Sequence, residues 1–191
     1  MNEKIYLDAD ATIINTPTVW CEKINKHYNT NYTPKDQIHY SYFQDVLGKE
    51  CEFWRDENFY DDVYPYLKAQ WFVERLKTMY GEKNVTIVTW SDSKQLEESK
   101  NKILSYYFDI PKKRIIHTRN KWKYTYDGFL VDDHKEHILD HVNQNSKLGF
   151  LFNLNNSFGW NVMTEDHPLI KKVTSYNEII DYLLNCWLIN W

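Results

Sequence analysis

Two acids separated by one residue, Asp8 and Asp10, follow the short apolar run Ile5-Tyr6-Leu7. Two adjacent acids, Asp132 and Asp133, follow another apolar run, Phe129-Leu130-Val131. Between them, Thr89 ends the β-branched run that begins at Val85, Ser91 comes two residues later, and Lys121 closes the stretch Thr118-Arg119-Asn120-Lys121. Carboxylates brought together repel one another unless a cation relieves them. Mg²⁺ suits such a place, because it works with few carboxylates and a substrate phosphate. A carboxylate can also attack phosphorus and form an aspartyl-phosphate. A second acid two residues on can protonate the leaving oxygen and later activate water. Phosphoryl transfer spreads charge over equatorial oxygens, and fixed hydroxyl and ammonium groups such as those of Thr89 and Lys121 stabilise it.

These side chains can meet only if the runs before them are parallel strands ending at one edge, where open α/β sheets bind ligands. The pattern from residue 65 onward predicts that arrangement. Pro65 opens a helix whose apolar face is Leu67, Phe72, Val73, Leu76 and Met79, closed by Gly81. Val85 to Val88 reads as a buried strand. Ser91 or Ser93 caps a helix with Leu96, Ile103, Leu104 and Tyr107 on its apolar face, which Pro111 stops. Strands are expected at 114–117, 129–131 and 148–152, a helix from Lys135, and a last helix from Ser175 or Asn177. Residues 16–62 break the alternation. Thr16-Pro17 and Thr33-Pro34 each pair an N-cap with proline at the first helical position, so two helices are expected there, with short helices and turns after residue 40. The fold class is α/β: a Rossmann-like parallel sheet with helices on both faces, plus a small helical cap inserted after the first strand. The core is assigned to 1–15 and 63–191, and the cap to 16–62.

The order DxDxT, threonine after a strand, lysine, then a strand ending DD resembles the haloacid dehalogenase superfamily. HTRNKWKYTYDGFLVDDHKEH, LGFLFNLNNS and TSYNEIIDYL are similar to the 5'(3')-deoxyribonucleotidases within it. The resemblance implies Asp8 as nucleophile and Mg²⁺ ligand, and Asp10 as acid/base with its backbone carbonyl on the metal. It implies Thr89 and Ser91 at the phosphoryl group, Lys121 neutralising it, and Asp132 and Asp133 completing the metal site. Phe59 and Tyr60 match an aromatic pair of the cap that faces the base. Ala11 stands where that family usually has glycine, and Thr16 where a ring is expected. The implied function is a Mg²⁺-dependent nucleotidase acting on deoxynucleoside monophosphates. A polynucleotide 3'-phosphatase, a phosphatase for another small metabolite, and a non-catalytic binding module on the same fold are the alternatives.

Composition narrows the partners. A formal net charge of −4 leaves no broad basic footprint for nucleic acid, although Lys112, Lys113, Arg114, Arg119, Lys121 and Lys123 form a local strip. The partner expected is a small phosphomonoester. Three widely spaced cysteines, Cys21, Cys51 and Cys186, form no metal or disulfide pattern and fit a reducing, cytoplasmic setting. No apolar run approaches the roughly 18 residues of a membrane span. His134, His137 and His141 share a helical face, but no third-ligand motif follows, so packing or solvation is expected of them. Trp20 and Trp54 serve as cap core or pocket wall. Trp187 and Trp191 pack the last helix, with a homodimer surface as the alternative.

Overall fold

A computed structural model of the chain describes residues 3–161 and 166–189. Among them, six strands form one sheet: β1 (Lys4–Leu7), β2 (Val85–Thr89), β3 (Ile115–His117), β4 (Gly128–Asp132), β5 (Gly149–Phe152) and β6 (Ile170–Val173). Their order is β3-β2-β1-β4-β5-β6, and every neighbouring pair is parallel. Six α-helices accompany them: α1 (Thr16–Tyr28), α2 (Tyr42–Leu47), α3 (Ala69–Tyr80), α4 (Lys94–Phe108), α5 (Lys135–Asn145) and α6 (Tyr176–Ile189). This is the expected fold class.

Strand alternation divides the core. Ile5, Leu7, Val85, Ile87, Phe129, Val131, Phe150 and Phe152 face one way, against α3, α4 and α6. Tyr6, Val88, Leu130 and Leu151 face the other way, against Ile138 and Val142 of α5. Both faces are therefore covered, which a parallel sheet requires. Each such large apolar side chain contributes about 1.5–3 kcal/mol by leaving water. Backbones approach closely where β4 begins: a Cβ on Gly128 would lie 1.9 Å from the Lys4 carbonyl oxygen, so only glycine fits.

Residues 16–62 leave the sheet after β1 and return before α3. Pro17 starts α1, and Asn29 ends it in the left-handed conformation. Trp20 sits edge-on to Phe43 and Trp54, with centroids 5.2 and 4.6 Å away. Its indole N–H donates to the Cys51 carbonyl at 2.6 Å. Exit and return are tied together by Asn15, whose Oδ1 accepts from the Tyr64 N–H at 2.8 Å.

Two sequence expectations are corrected, and one element is added. Thr33-Pro34 opens only a 3-10 turn, Pro34–Asp36, although its capping box forms. The Thr33 side chain and backbone N–H are both spent on Asp36, and no apolar stripe follows to carry a helix onward. Leu67 lies outside α3 and is 87% exposed, because Lys68 takes a left-handed conformation and starts the helix two residues later. The edge strand β6 was not foreseen. Its sequence IKKV alternates poorly, and lysines on an edge blunt unwanted pairing. The side chain of Trp187, and Trp191, lie outside the described residues. No helix among the described residues is long and apolar enough to cross a membrane.

Candidate active site

Connections leave β1 toward β2 on one side, while β4 lies on its other side, so the direction of the sheet reverses between β1 and β4. The carboxyl end of β1 is thus the switch point where ligands bind in such sheets. Asp8 sits there, its backbone N–H bonded to the Val131 carbonyl at 2.9 Å. Asp132 is the last residue of β4, and Thr89 the last of β2.

Asp8, Asp132 and Asp133 each bring a carboxylate oxygen within 4.8 Å of the others, and all three are buried. The Lys121 ammonium, also buried, bridges Asp8 Oδ1 at 2.7 Å and Asp132 Oδ2 at 2.6 Å. The backbone N–H of His134 donates to Asp132 Oδ1 at 2.8 Å, and the Trp160 indole N–H to Asp133 Oδ2 at 2.9 Å. One lysine does not balance three acids, and the acidities follow. Burial, with Asp132 and Asp10 nearby, pushes Asp8 up to about 6 despite Lys121. Burial and the charges of Asp132 and Asp8 push Asp133 well above the usual carboxylate range. Burial alone would raise Asp132 too, but Lys121 and His137 outweigh it and hold that group low. Burial likewise opposes the charge on Lys121, and the two aspartates overcome it.

Asp10 turns away from this trio. Its Oδ2 accepts from Lys100 at 2.6 Å and from the Thr89 hydroxyl at 3.3 Å, and the Tyr60 hydroxyl lies 3.4 Å from Oδ1. The side chain of Asp10 is 33% exposed, against 7% for Asp8. Directly after Asp10, Ala11 adopts a left-handed conformation, φ 56°, where glycine would be unstrained.

A cavity of about 460 Å³ opens above these groups. Asp8, Asp10, Lys121 and Asp133 form its floor, and Trp20, Trp54, Phe59, Tyr60, Trp90 and Trp160 contribute rings. Ser91 also lines it, and its buried hydroxyl has no hydrogen-bond partner. Phe59 and Tyr60 are wall and core at once: both line the cavity, yet both are buried, edge to face at 5.3 Å. Thr16 accepts from the Ala11 N–H at 3.3 Å rather than presenting a ring. The Arg119 guanidinium lies 3.9 Å over the Trp90 ring at the same cavity. Arg114 leaves the basic strip to pair with Glu82 at 2.9 Å.

The three histidines part company. The rings of His134 and His137 lie 4.6 Å apart at the cavity. His141 is buried elsewhere, between Thr125 and Leu148. Lys100 and Trp160 were not singled out in the sequence. Lys100 had a signal, because it stands four residues from both Leu96 and Leu104, on the stripe that α4 buries. Trp160, on the loop after β5, had none.

No protein-family model matches the chain, and no curated protein sequence does. Solved structures match over nearly its whole length. A haloacid dehalogenase-family hydrolase from Deinococcus radiodurans R1, with phosphate and sodium bound, covers 97% of this chain and 96% of its own, at TM-score 0.68 and 8% identity. A protein from Clostridium acetobutylicum named as a predicted phosphatase covers 97% and 99%, at 0.62 and 11%. An L-2-haloacid dehalogenase covers 97% and 100%, at 0.57 and 10%. The fold of this chain is that of haloacid dehalogenase-like hydrolases.

Proposed function

We propose that the chain is a Mg²⁺-dependent phosphohydrolase in which Asp8 is the nucleophile and Asp10 the general acid and then the general base. One observation carries this reading: two acids a residue apart have opposite surroundings. Asp8 is buried against Lys121 and two further carboxylates, while Asp10 is held apart by Lys100, Thr89 and Tyr60 with access to the cavity. A nucleophile needs a fixed place beside positive charge, whereas an acid/base needs access to the leaving oxygen and to water. The same observation favours phosphate over halide. A halide departs as a stable anion, but an alkoxide leaving phosphorus needs a proton, and Asp10 can supply it.

The uncompensated carboxylates support a hard cation. Asp8, Asp133 and Asp132 would hold it, with the Asp10 backbone carbonyl as a further oxygen. When bound, Mg²⁺ supplies positive charge at the phosphoryl oxygens. Thr89, Ser91 and Lys121 would hold the phosphoryl group. Lys121 spends two of its three N–H donors on Asp8 and Asp132, and Ser91 has an unspent hydroxyl.

We further propose that residues 16–62 act as a cap and that the substrate is a nucleoside monophosphate, in the manner of a 5'(3')-deoxyribonucleotidase. The cavity volume and its aromatic walls suit a flat base beside a sugar phosphate. The test is hydrolysis of 4-nitrophenyl phosphate with and without Mg²⁺, followed by a panel of nucleoside monophosphates against 3'-phosphorylated oligonucleotides. Mg²⁺-dependent turnover is expected, with the monophosphates preferred. Asp8→Asn should abolish it, and a variant retaining more than about one part in a hundred of the wild-type rate would sink the nucleophile assignment.

A further inference from the structure

Lys100 is almost fully buried, at 1% exposure, and lies within the stripe of α4 that carries Leu96 and Leu104. Burying an ammonium is costly unless every donor is satisfied. All three of its N–H donors have acceptors: Asp10 Oδ2 at 2.6 Å, the Trp90 carbonyl at 2.5 Å and the Thr89 hydroxyl at 3.2 Å. The Tyr60 ring lies 5.2 Å away, over the same ammonium. Lys100 therefore has no donor left for a ligand, whereas Lys121 has one.

The consequence falls on Asp10. Lys100 and Thr89 both bind Oδ2, so that oxygen is fixed from two sides. The other oxygen, Oδ1, has only the distant Tyr60 hydroxyl at 3.4 Å. We propose that Lys100 is a positioning residue that aims Asp10, fixing Oδ2 so that Oδ1 is the oxygen that passes the proton. This rests on the assignment of Asp8 and Asp10 proposed above. In the transfer step, a bond forms between an Asp8 carboxylate oxygen and phosphorus. The bond from phosphorus to the leaving oxygen breaks, its electron pair stays on that oxygen, and the proton on Asp10 Oδ1 goes to it.

A residue that acts only through the proton donor has a distinct signature. Substrates with good leaving groups need the proton least, so loss of aim should hurt them least. The quantity to measure is kcat/KM, which covers steps only through departure of the leaving group, across a series of aryl and alkyl phosphomonoesters with Mg²⁺. For Lys100→Met, we expect a loss of about tenfold or less on 4-nitrophenyl phosphate and about a hundredfold or more on an alkyl phosphate, within the range of a lost acid. A parallel loss on all substrates would overturn the proposal and place Lys100 on the phosphoryl group or in the fold. If Lys100→Met does not fold, Lys100→Arg, which keeps the charge but moves the donors, is read on the same series with the same two outcomes. Wild-type protein inactive on every phosphomonoester would remove the phosphohydrolase reading and this role with it. Wild-type turnover with an unchanged leaving-group dependence in the variant would remove the role alone.

Discussion

At the scale of single residues, a strained alanine follows the second of two closely spaced acids. Asp8 and Asp10, separated by Ala9, face different partners, and Ala11, the residue after Asp10, adopts the left-handed conformation. For a residue with a Cβ, that conformation costs about 1–2 kcal/mol. Ala11→Gly should relieve part of it, raising stability by about 0.5–1 kcal/mol after allowing for the greater freedom of unfolded glycine. Urea unfolding of the two proteins checks this, and a less stable Ala11→Gly would mean that the turn is not strained. The two acids should also differ on substitution. Asp10→Asn keeps its backbone carbonyl, so Mg²⁺ affinity measured by calorimetry should fall less than in Asp8→Asn, while turnover drops by roughly 10²–10⁴. Equal losses of Mg²⁺ affinity would contradict the division. The acids, Thr89 and Lys121 were legible because each ends or closely follows an apolar run. The partners of Asp10 were less so: a lysine on a helix reads as solvated until its neighbours on the buried stripe are counted.

At the scale of elements, residues 16–62 place rings over a floor made by strand ends. Their sequence shows aromatics and few apolar repeats, so it could not say whether Phe59 and Tyr60 form the segment's core or the pocket wall. The structure makes them an edge-to-face pair in both roles, and the two substitutions should then separate. Phe59 is 1% exposed, so Phe59→Ala should cost about 3–5 kcal/mol and lower activity on every substrate as the segment loosens. Tyr60→Phe keeps the ring and removes the hydroxyl near Asp10, so the melting temperature should change little. If the cap holds a base by stacking, Tyr60→Ala should raise KM for a nucleoside monophosphate about tenfold, within the roughly 1–3 kcal/mol that a stacked base contributes. Hydrolysis of a small alkyl phosphate should respond far less. Equal KM changes on both substrates would remove the stacking role. The edge strand β6 marks the other limit of sequence reading: four residues with two central lysines carry too little alternation to announce a strand, and only pairing with β5 defines it.

At the scale of the whole molecule, the turn that carries Lys121 is moored to the opposite helix by a buried polar network. Asn145 of α5 donates to the Trp122 carbonyl at 2.8 Å. His141, one helical turn earlier, bonds the Thr125 hydroxyl through Nδ1 at 2.7 Å and the Leu148 carbonyl through Nε2 at 3.2 Å. A carbonyl only accepts, so Nε2 carries the proton, and the Asn145 amide NH2, which only donates, lies 3.3 Å from Nδ1 and makes that nitrogen an acceptor. The ring is therefore neutral in the fold, and burial pushes its pKa down to about 4. Unfolded, it would titrate near the ordinary value of about 6.5. Between those values the unfolded chain binds a proton that the folded chain refuses, so stability rises with pH across the window. The full contribution is present above about pH 6.5 and is lost as pH falls toward 4. At about 1.4 kcal/mol per pH unit, the loss approaches 3 kcal/mol. Asp8, whose pKa is raised, works the other way over an overlapping range, so wild-type stability alone would mix the two. Proton NMR of the His141 ring isolates the term: its signals should stay neutral-like down to about pH 5. Denaturant unfolding of His141→Gln should show a correspondingly weaker fall in stability from pH 6.5 to 4 than wild type. A His141 ring that titrates near 6.5 in the folded protein would show that the network does not hold it neutral.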